Sequence, residues 1–302
     1  MKRIVTIGGG NGQSELLTYL KEHDVEITAV VTMMDSGGSS GKLREMNGVL
    51  PPGDLRRCIA ALAENTGAVC EWNERDREGH AKGNLEIVSE FEKVGAVTSA
   101  VRALSDRCGV KGTVLPVTEQ LTHLVAEYDD GKTVVREEEN IDVPKHDSSL
   151  HIDKLRLDPA VQTTDQVKQA FAAADCIVIS MGDLYTSIIP NLLVEGVVDA
   201  IAESDAPVVY VCNRSTKRGE THDFTTSDFI SELNRYLEPA RLSVAIVDDG
   251  TVALPDDVQG IPTEVSNEAV QIITVDLADE ENPVCVSGKK AAQAIYDLCE
   301  SL

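Results

Sequence analysis

Residues Arg3–Leu20 read RIVTIGGGNGQSELLTYL: a short apolar run, a cluster of glycines, then a pattern with helical spacing. The apolar run Arg3–Ile7 has the character of a buried strand, and Ser14–Glu22 that of an amphipathic helix. Between them Gly8, Gly9, Gly10, Asn11 and Gly12 form a bend at which the backbone can approach a ligand closely. The free amides opening the helix would then face an anion. The pattern is not a clean dinucleotide fingerprint, since the sixth position counted from Gly8 is Gln13, and no G-x-x-x-x-G-K-[ST] motif occurs in the chain. The plainer reading is a tight strand-to-helix turn.

The same alternation continues outward. Strand-type runs recur at Glu26–Val31, Gly112–Val117, Cys176–Ser180, Val208–Cys212, Ser243–Val247 and Gln271–Val275. Helix-type patterns fall between several of them, at Leu55–Ala63, Asn84–Lys93, Thr98–Asp106, Asp165–Ala174, Ile188–Glu203, Ser227–Tyr236 and Lys289–Leu298. Strands that are apolar throughout and alternate with helices predict a Rossmann-like, doubly wound α/β fold with a mainly parallel sheet covered on both faces. One segment departs from this. LTHLVAEYDDGKTVVREEENI alternates polar and apolar residues about Asp130-Gly131, a hairpin signal. It predicts a small antiparallel excursion on the main sheet over about 114–152. Nothing resembles a linker, so a single domain over 1–302 is expected.

Composition narrows the function. The 302 residues carry 27 Lys and Arg against 51 Asp and Glu, a formal net charge of -24, which argues against binding a nucleic-acid backbone. An anionic ligand remains compatible where backbone amides and a few local Arg or Lys face it. No run approaches the ~20 apolar residues that span a bilayer, and the first residues lack a secretory pattern, so a cytoplasmic protein is expected. The seven cysteines are scattered and mostly lie in apolar runs, as small core residues do.

The segment TMMDSGGSSGKLREMNGVLPPGDLRR, Thr32–Arg57, is the second candidate loop. Asp35 falls where a Rossmann-like strand end places an acid on a ribose, and it would equally suit magnesium beside a phosphate. Gly37, Gly38, Ser39 and Ser40 offer amides and hydroxyls to phosphate oxygens, with Lys42 and Arg44 as charge partners. Pro51, Pro52 and Gly53 stiffen and turn the chain, and Asp54 is expected as the N-cap of the next helix, followed by Arg56 and Arg57. GHAKGNL contributes His80, Gly83 and Asn84. ISMGDLYTSIIPNLLVEG places Gly182, Asp183, Tyr185, Thr186 and Ser187 after a buried strand, with Asn191 in the helix beyond. YVCNRSTKRGETHDFTTSDF sends Asn213 out of another strand end. Polar loops at carboxyl strand ends are where open α/β sheets hold ligands.

Taken in order, IGGGNG, VVTMMDSGGSSGKLR, LPPGDLRRC, GHAKGNL, DLYTSIIPNLLVEG and VYVCNRSTKRGETHDFTTSDF resemble the CofD-like family, and within it the YvcK-type proteins often called gluconeogenesis factors. The resemblance covers most of the chain and is weakest after about Ala240. It implies a Rossmann-like fold that binds a UDP-sugar, notably UDP-N-acetylglucosamine, in a regulator of carbon metabolism and of cell-wall growth or cell shape. The other branch of the family implies a magnesium-dependent transferase that moves phospholactate from a GDP-linked donor to the deazaflavin Fo. Two departures bear on this choice. Asn11 stands where many YvcK-type sequences have Thr. Ser36 follows Asp35 where they have a second Asp, so one carboxylate of a pair is missing. Asp183 stands in a loop that can restore an acid. The leading expectation is a regulator that holds a nucleotide diphosphate and acts through a homo-oligomer or a protein partner. The transferase is the alternative, and magnesium at Asp35 is the one metal expected with either.

Overall fold

A computed structural model describes residues 1–142, 145–262 and 269–301. Its strands are β1 (Lys2–Gly8), β2 (Val25–Val31), β3 (Thr113–Pro116), β4 (His123–Tyr128), β5 (Val134–Arg136), β6 (Ile152–Asp158), β7 (Cys176–Ile179), β8 (Val208–Val211), β9 (Val244–Asp248) and β10 (Gln271–Val275). Seven form one sheet in the order β10-β9-β8-β7-β1-β2-β3, and every pairing within it is parallel. The fold is the doubly wound α/β type that the alternating runs predict. Val and Ile dominate the central strands because both sheet faces are covered: Ile4, Val30, Ile177, Val209 and Ile246 are all buried.

From β1 the chain builds outward to β2 and β3, then returns to β7 on the other side of β1 and builds outward again to β10. Loops leaving β1 and β7 therefore diverge to opposite faces. The crevice between them, at the carboxyl ends of the strands, is the natural ligand position in such a sheet. The helices form two packed groups. Gly10–Leu20, Gly53–Leu62, Val97–Cys108 and Gly288–Ser301 belong to one, and Asp165–Ala173, Ile189–Leu192, Val197–Ala202 and Thr226–Leu237 to the other.

Three expectations change in the structure. The antiparallel excursion is a separate three-stranded sheet, β5-β4-β6, rather than an extension of the main one. It takes in β6, beyond the expected limit at Ile152, while Val114 lies in β3 of the parallel sheet. The expected long helix Ile188–Glu203 is instead a π-helical turn, Leu184–Ile188, followed by the short helices Ile189–Leu192 and Val197–Ala202. Pro190 at the start of the first and Gly196 at φ 85° before the second explain the break. Finally, the glycine-serine segment is not all loop, since Gly38–Asn47 is helical and ends at Gly48 with φ 62°.

Candidate functional site

A cleft of about 740 Å³ opens at the carboxyl ends of β1, β2 and β7. Gly9, Gly10, Asn11 and Gly12 line it with Asp35, Gly37, Gly38, Ser39, Ser40, Asp54, Arg57, Asn84, Gly182, Asp183, Thr186 and Ser187. These are most of the residues singled out from the sequence, brought together from five loops.

The glycines matter here through close approach. A Cβ at Gly9 would lie 2.2 Å from Thr32 Cγ2 and 2.9 Å from Asp54 Oδ2; one at Gly12 would lie 2.1 Å from the Met181 carbonyl oxygen. A Cβ at Gly53 would lie 2.3 Å from Ser40 Oγ and 3.0 Å from Asp35 Oδ2. At Gly9, Gly12 and Gly53 the packing thus leaves no room for a methyl group. Two helices begin at the cleft, Gly10–Leu20 after Gly9 and Gly38–Asn47 after Gly37. Neither has a cap from its own N-cap side chain; Asp54 takes the Gly10 amide and Asp35 Oδ1 the Gly37 amide at 2.9 Å, and the amides that follow in each first turn are left to the cleft.

A second layer holds these loops in place. Ser39 Oγ accepts from Asn84 Nδ2 at 3.0 Å and from the Ala81 amide at 3.4 Å, and lies 3.2 Å from His80 Nδ1. Asn84 Oδ1 accepts from Arg56 Nε at 3.0 Å, and Arg56 also donates to Asn73 Oδ1. His80 is buried, does not line the cleft, and positions Ser39. Gly83 lets the helix Lys82–Val94 pack against Arg56 and Trp72, each of which would be 2.8 Å from its Cβ. Burial lowers the Arg56 guanidinium to about 10.

Several candidates have other roles. Asp54 is not the N-cap; Pro52 occupies that position without a side-chain bond, and Asp54 lies inside the first turn. Its buried carboxylate accepts from Arg57 at 2.7 Å and from the Gly10 amide. Lys42 is exposed and outside the cleft. Arg44 is buried away from it, donating to the Thr122 carbonyl and facing Glu137 at 3.9 Å. A helix starting at Gly38 turns these two positions away from the opening. Tyr185 is buried and donates to Glu232 Oε1 at 3.0 Å. Asn191 ties the helix start to β1 through the Ser187 and Gly8 carbonyls, at 2.8 and 3.4 Å. Asn213 grips Gly182, accepting from its amide at 3.2 Å and donating to its carbonyl at 2.8 Å. Gly8 underlies the cleft, where a Cβ would lie 2.1 Å from Ser180 Oγ.

Residues from the antiparallel unit complete the wall. Glu138, Glu139, Asp142 and Lys145 face the same opening. Glu138 Oε2 accepts from the Ser36 amide at 3.2 Å, and Ser36 Oγ accepts from the Glu139 amide at 3.0 Å. Burial, then the neighbouring Asp35, pushes the Glu138 carboxyl up to about 8; burial and Asp35 likewise push Asp54 up to about 6. No local sequence signal marks Glu138, which sits in an acidic run, EEEN, that reads as a solvated face. Lys217 was also missed. Its ammonium stands among Asp142, Asp183 at 2.7 Å and the buried Glu220 at 2.9 Å. These three carboxylates are close enough to hold a metal ion, and the lysine occupies the position between them.

A larger cavity of about 1300 Å³ adjoins the first and shares Asn11, Gly12, Gly182 and Asp183 with it. Asn213, Arg214, Lys217, Lys289 and Lys290 contribute to its lining, and Tyr19 is the only aromatic among the described residues that line it.

A model of the family described as 2-phospho-L-lactate transferase CofD matches residues 4–285. The chain belongs to the CofD family. Within it, the chain is similar to a gluconeogenesis factor of Listeria monocytogenes, 34% identical over 98% of this chain and 95% of that one. It is also 43% identical to a Thermotoga maritima protein to which the same designation is attached provisionally, over 78% of this chain and 76% of the other. In some curated relatives the match spans about half their length. The crystal structure of a UPF0052-family protein from Bacillus halodurans superposes with a TM-score of 0.90 at 30% identity, covering 98% of this chain and all of that one.

The family's transferase description raises the question of magnesium. Asp35, Asp54 and Glu138 offer a hard, all-oxygen donor set at the mouth of the glycine loops. Asp35 lies near the backbone at Gly53, and Asp54 near that at Gly9. The three are not among the tight clusters of the described residues. Magnesium bound here would rest on one or two carboxylates and take its remaining oxygens from water and phosphate, the usual arrangement for that ion. Among the described residues no helix is long and apolar enough to cross a membrane.

Proposed function

We propose that the protein is a cytoplasmic nucleotide-sugar-binding regulatory factor of the YvcK type, with UDP-N-acetylglucosamine or a related UDP-sugar as its ligand class. The role that goes with it is control of carbon metabolism and of cell-wall growth or cell shape, exercised through a protein partner or a second copy of the chain. In this reading Gly9–Gly12 and Gly37–Ser40 take the diphosphate on uncapped helix amides. Asp35 takes a ribose hydroxyl or magnesium, and the Gly182–Ser187 loop takes the sugar. Asn213 acts indirectly, by fixing Gly182.

The observation that carries the proposal is the lining. Two cavities rich in glycine, hydroxyl, amide and charged groups meet at a glycine ridge, and among the described residues no aromatic side chain lines the smaller and Tyr19 is the one aromatic lining the larger. A sugar and a diphosphate need hydroxyl, amide and charged groups. A flat deazaflavin acceptor needs aromatic or broad apolar walls. Tyr185, the aromatic of the DLYTS stretch at the cleft, is turned into the core. The transferase reading is favoured instead by the acidic set Asp35, Asp54 and Glu138, which would align a metal-bound donor through positioning and electrostatics.

A thermal-shift screen separates the two, using UDP-N-acetylglucosamine, UDP-glucose, UDP, GDP and Fo with and without magnesium. A ligand at 100 times its dissociation constant adds roughly 2.7 kcal/mol to the folded state. Stabilisation by uridine diphosphate sugars alone, with no product formed, is the expected result. Stabilisation by GDP with magnesium or by Fo, together with phospholactyl transfer, would overturn it.

A further inference from the structure

Outside the cleft, one cluster has the composition of a transition-metal site. His151, just before β6, and His222 with Asp223, in the turn after β8, each place one donor atom within 4.8 Å of the other two. The two imidazoles stack, with centroids 4.0 Å apart and planes inclined by 19°. Both are half-buried and Asp223 is exposed, so an ion has access from solvent.

The surroundings already resemble the outer shell of such a site. Gln259 grips Asp223 from both ends: its Nε2 donates to Oδ1 at 2.9 Å and its Oε1 accepts from the Asp223 amide at 3.2 Å. Among the described residues Oδ2 has no hydrogen-bond partner. Asp223 is one of two described non-glycine residues with positive φ, at 64°, a conformation that Asp tolerates better than most residues. His222 lies 3.4 Å through Nε2 from the Ser149 carbonyl, and its Nδ1 accepts from the Gly219 amide at 3.3 Å. A ligating imidazole usually donates its other N–H to a backbone carbonyl in this way. The Gly219 bond is long and therefore cheap to replace. Among the described residues the His151 ring makes no hydrogen bond; stacking on His222 and, at 6.4 Å, on Phe224 is what holds it.

We propose that His151, His222 and Asp223 bind one late first-row divalent ion, zinc or cobalt, which joins the loop entering β6 to the turn after β8. Two imidazoles and one carboxylate suit these ions and not magnesium or calcium, which take oxygen donors. Donors on bonds of ~2.0–2.2 Å stand about 3.4 Å apart in a tetrahedral set, so binding requires the stacked rings to splay and the donors to draw inward. Water would fill the fourth position. The site is separate from the nucleotide cleft and does not depend on that reading.

The test is titration of the full, chelator-treated chain with Co²⁺, followed by its visible absorption, with Zn²⁺ competition and thermal melting as second readouts. One equivalent per chain is expected, displaced by Zn²⁺, with Zn²⁺ raising the melting temperature. His151→Gln and His222→Gln, which keep side-chain bulk, should each weaken binding more than about 100-fold, beyond the 10–100-fold typical of losing an outer-shell partner, which is the range expected for Gln259→Ala. His23→Ala, whose ring stacks on Tyr296 elsewhere, should leave binding unchanged. Any UDP-sugar stabilisation should persist in the glutamine variants, which separates failure here from failure of the proposed function. Non-saturating cobalt binding in the millimolar range would overturn the proposal, as would one equivalent retained in both glutamine variants.

Discussion

Glu138 is one of the residues through which the antiparallel unit reaches the cleft, and its ionisation is held back by burial and by Asp35. Replacing it with Gln keeps the shape and still offers an oxygen to the Ser36 amide, but removes the charge. The carboxyl is raised from an ordinary 4.5 to about 8. Below 4.5 both folded and unfolded chains carry the proton. Between 4.5 and about 8 only the folded chain does, so this group makes stability fall as pH rises, and above 8 the whole penalty is present. At ~1.4 kcal/mol per pH unit the interval corresponds to about 5 kcal/mol at most, and solvent reaching a half-buried carboxyl reduces it to roughly 2–3 kcal/mol. Glu138→Gln should therefore match the parent near pH 4.5 and exceed it by ~2–3 kcal/mol at pH 9, several degrees in melting temperature for a chain of this size. Urea or thermal unfolding at four pH values, without divalent ions, measures this. A difference independent of pH, or a variant less stable at pH 9, would refute the account of the acidic wall.

Four further outcomes follow from the packing. Gly12→Ala puts a methyl 2.1 Å from the Met181 carbonyl oxygen, so it should lower stability by about 2 kcal/mol or more and weaken ligand binding at the same time, read by unfolding and by thermal shift. Gly37→Ala meets nothing closer than 3.5 Å and should leave unfolding nearly unchanged, so a loss of UDP-sugar affinity there reports on the phosphate cradle alone. Arg44→Ala should cost about 2 kcal/mol of stability, because the Thr122 carbonyl loses its charged donor, yet change ligand affinity in the folded protein less than twofold; a large affinity loss would return Arg44 to the site. Lys217→Met should destabilise by roughly 2–4 kcal/mol at pH 9, where the Glu220 carboxyl, pushed up to about 8 by burial, is ionised beside Asp142 and Asp183, and by less at pH 5, where it is protonated; a pH-independent cost would count against the network.

The parallel sheet was legible because β-branched runs buried on both faces leave a local pattern, and each glycine loop announced itself where such a run ended. Sequence therefore found Gly9–Gly12, Asp35, Gly37–Ser40 and Gly182–Ser187 as one group. What it could not reveal is orientation. Arg44 and Tyr185 sit in the right motifs, but Arg44 faces Thr122 and Tyr185 faces Glu232, because helical phase and the packing of distant chain decide which way a side chain turns. Glu138 and Lys217 were invisible for the opposite reason. Nothing in their own neighbourhoods distinguishes them from surface charge, and only the docking of the β5-β4-β6 sheet brings Glu138 to Ser36 and Asp142 to Lys217, over separations of 102 and 75 residues. Local periodicity sets strands, helices and loop chemistry; long-range packing sets which charges meet, and so how the cleft is closed.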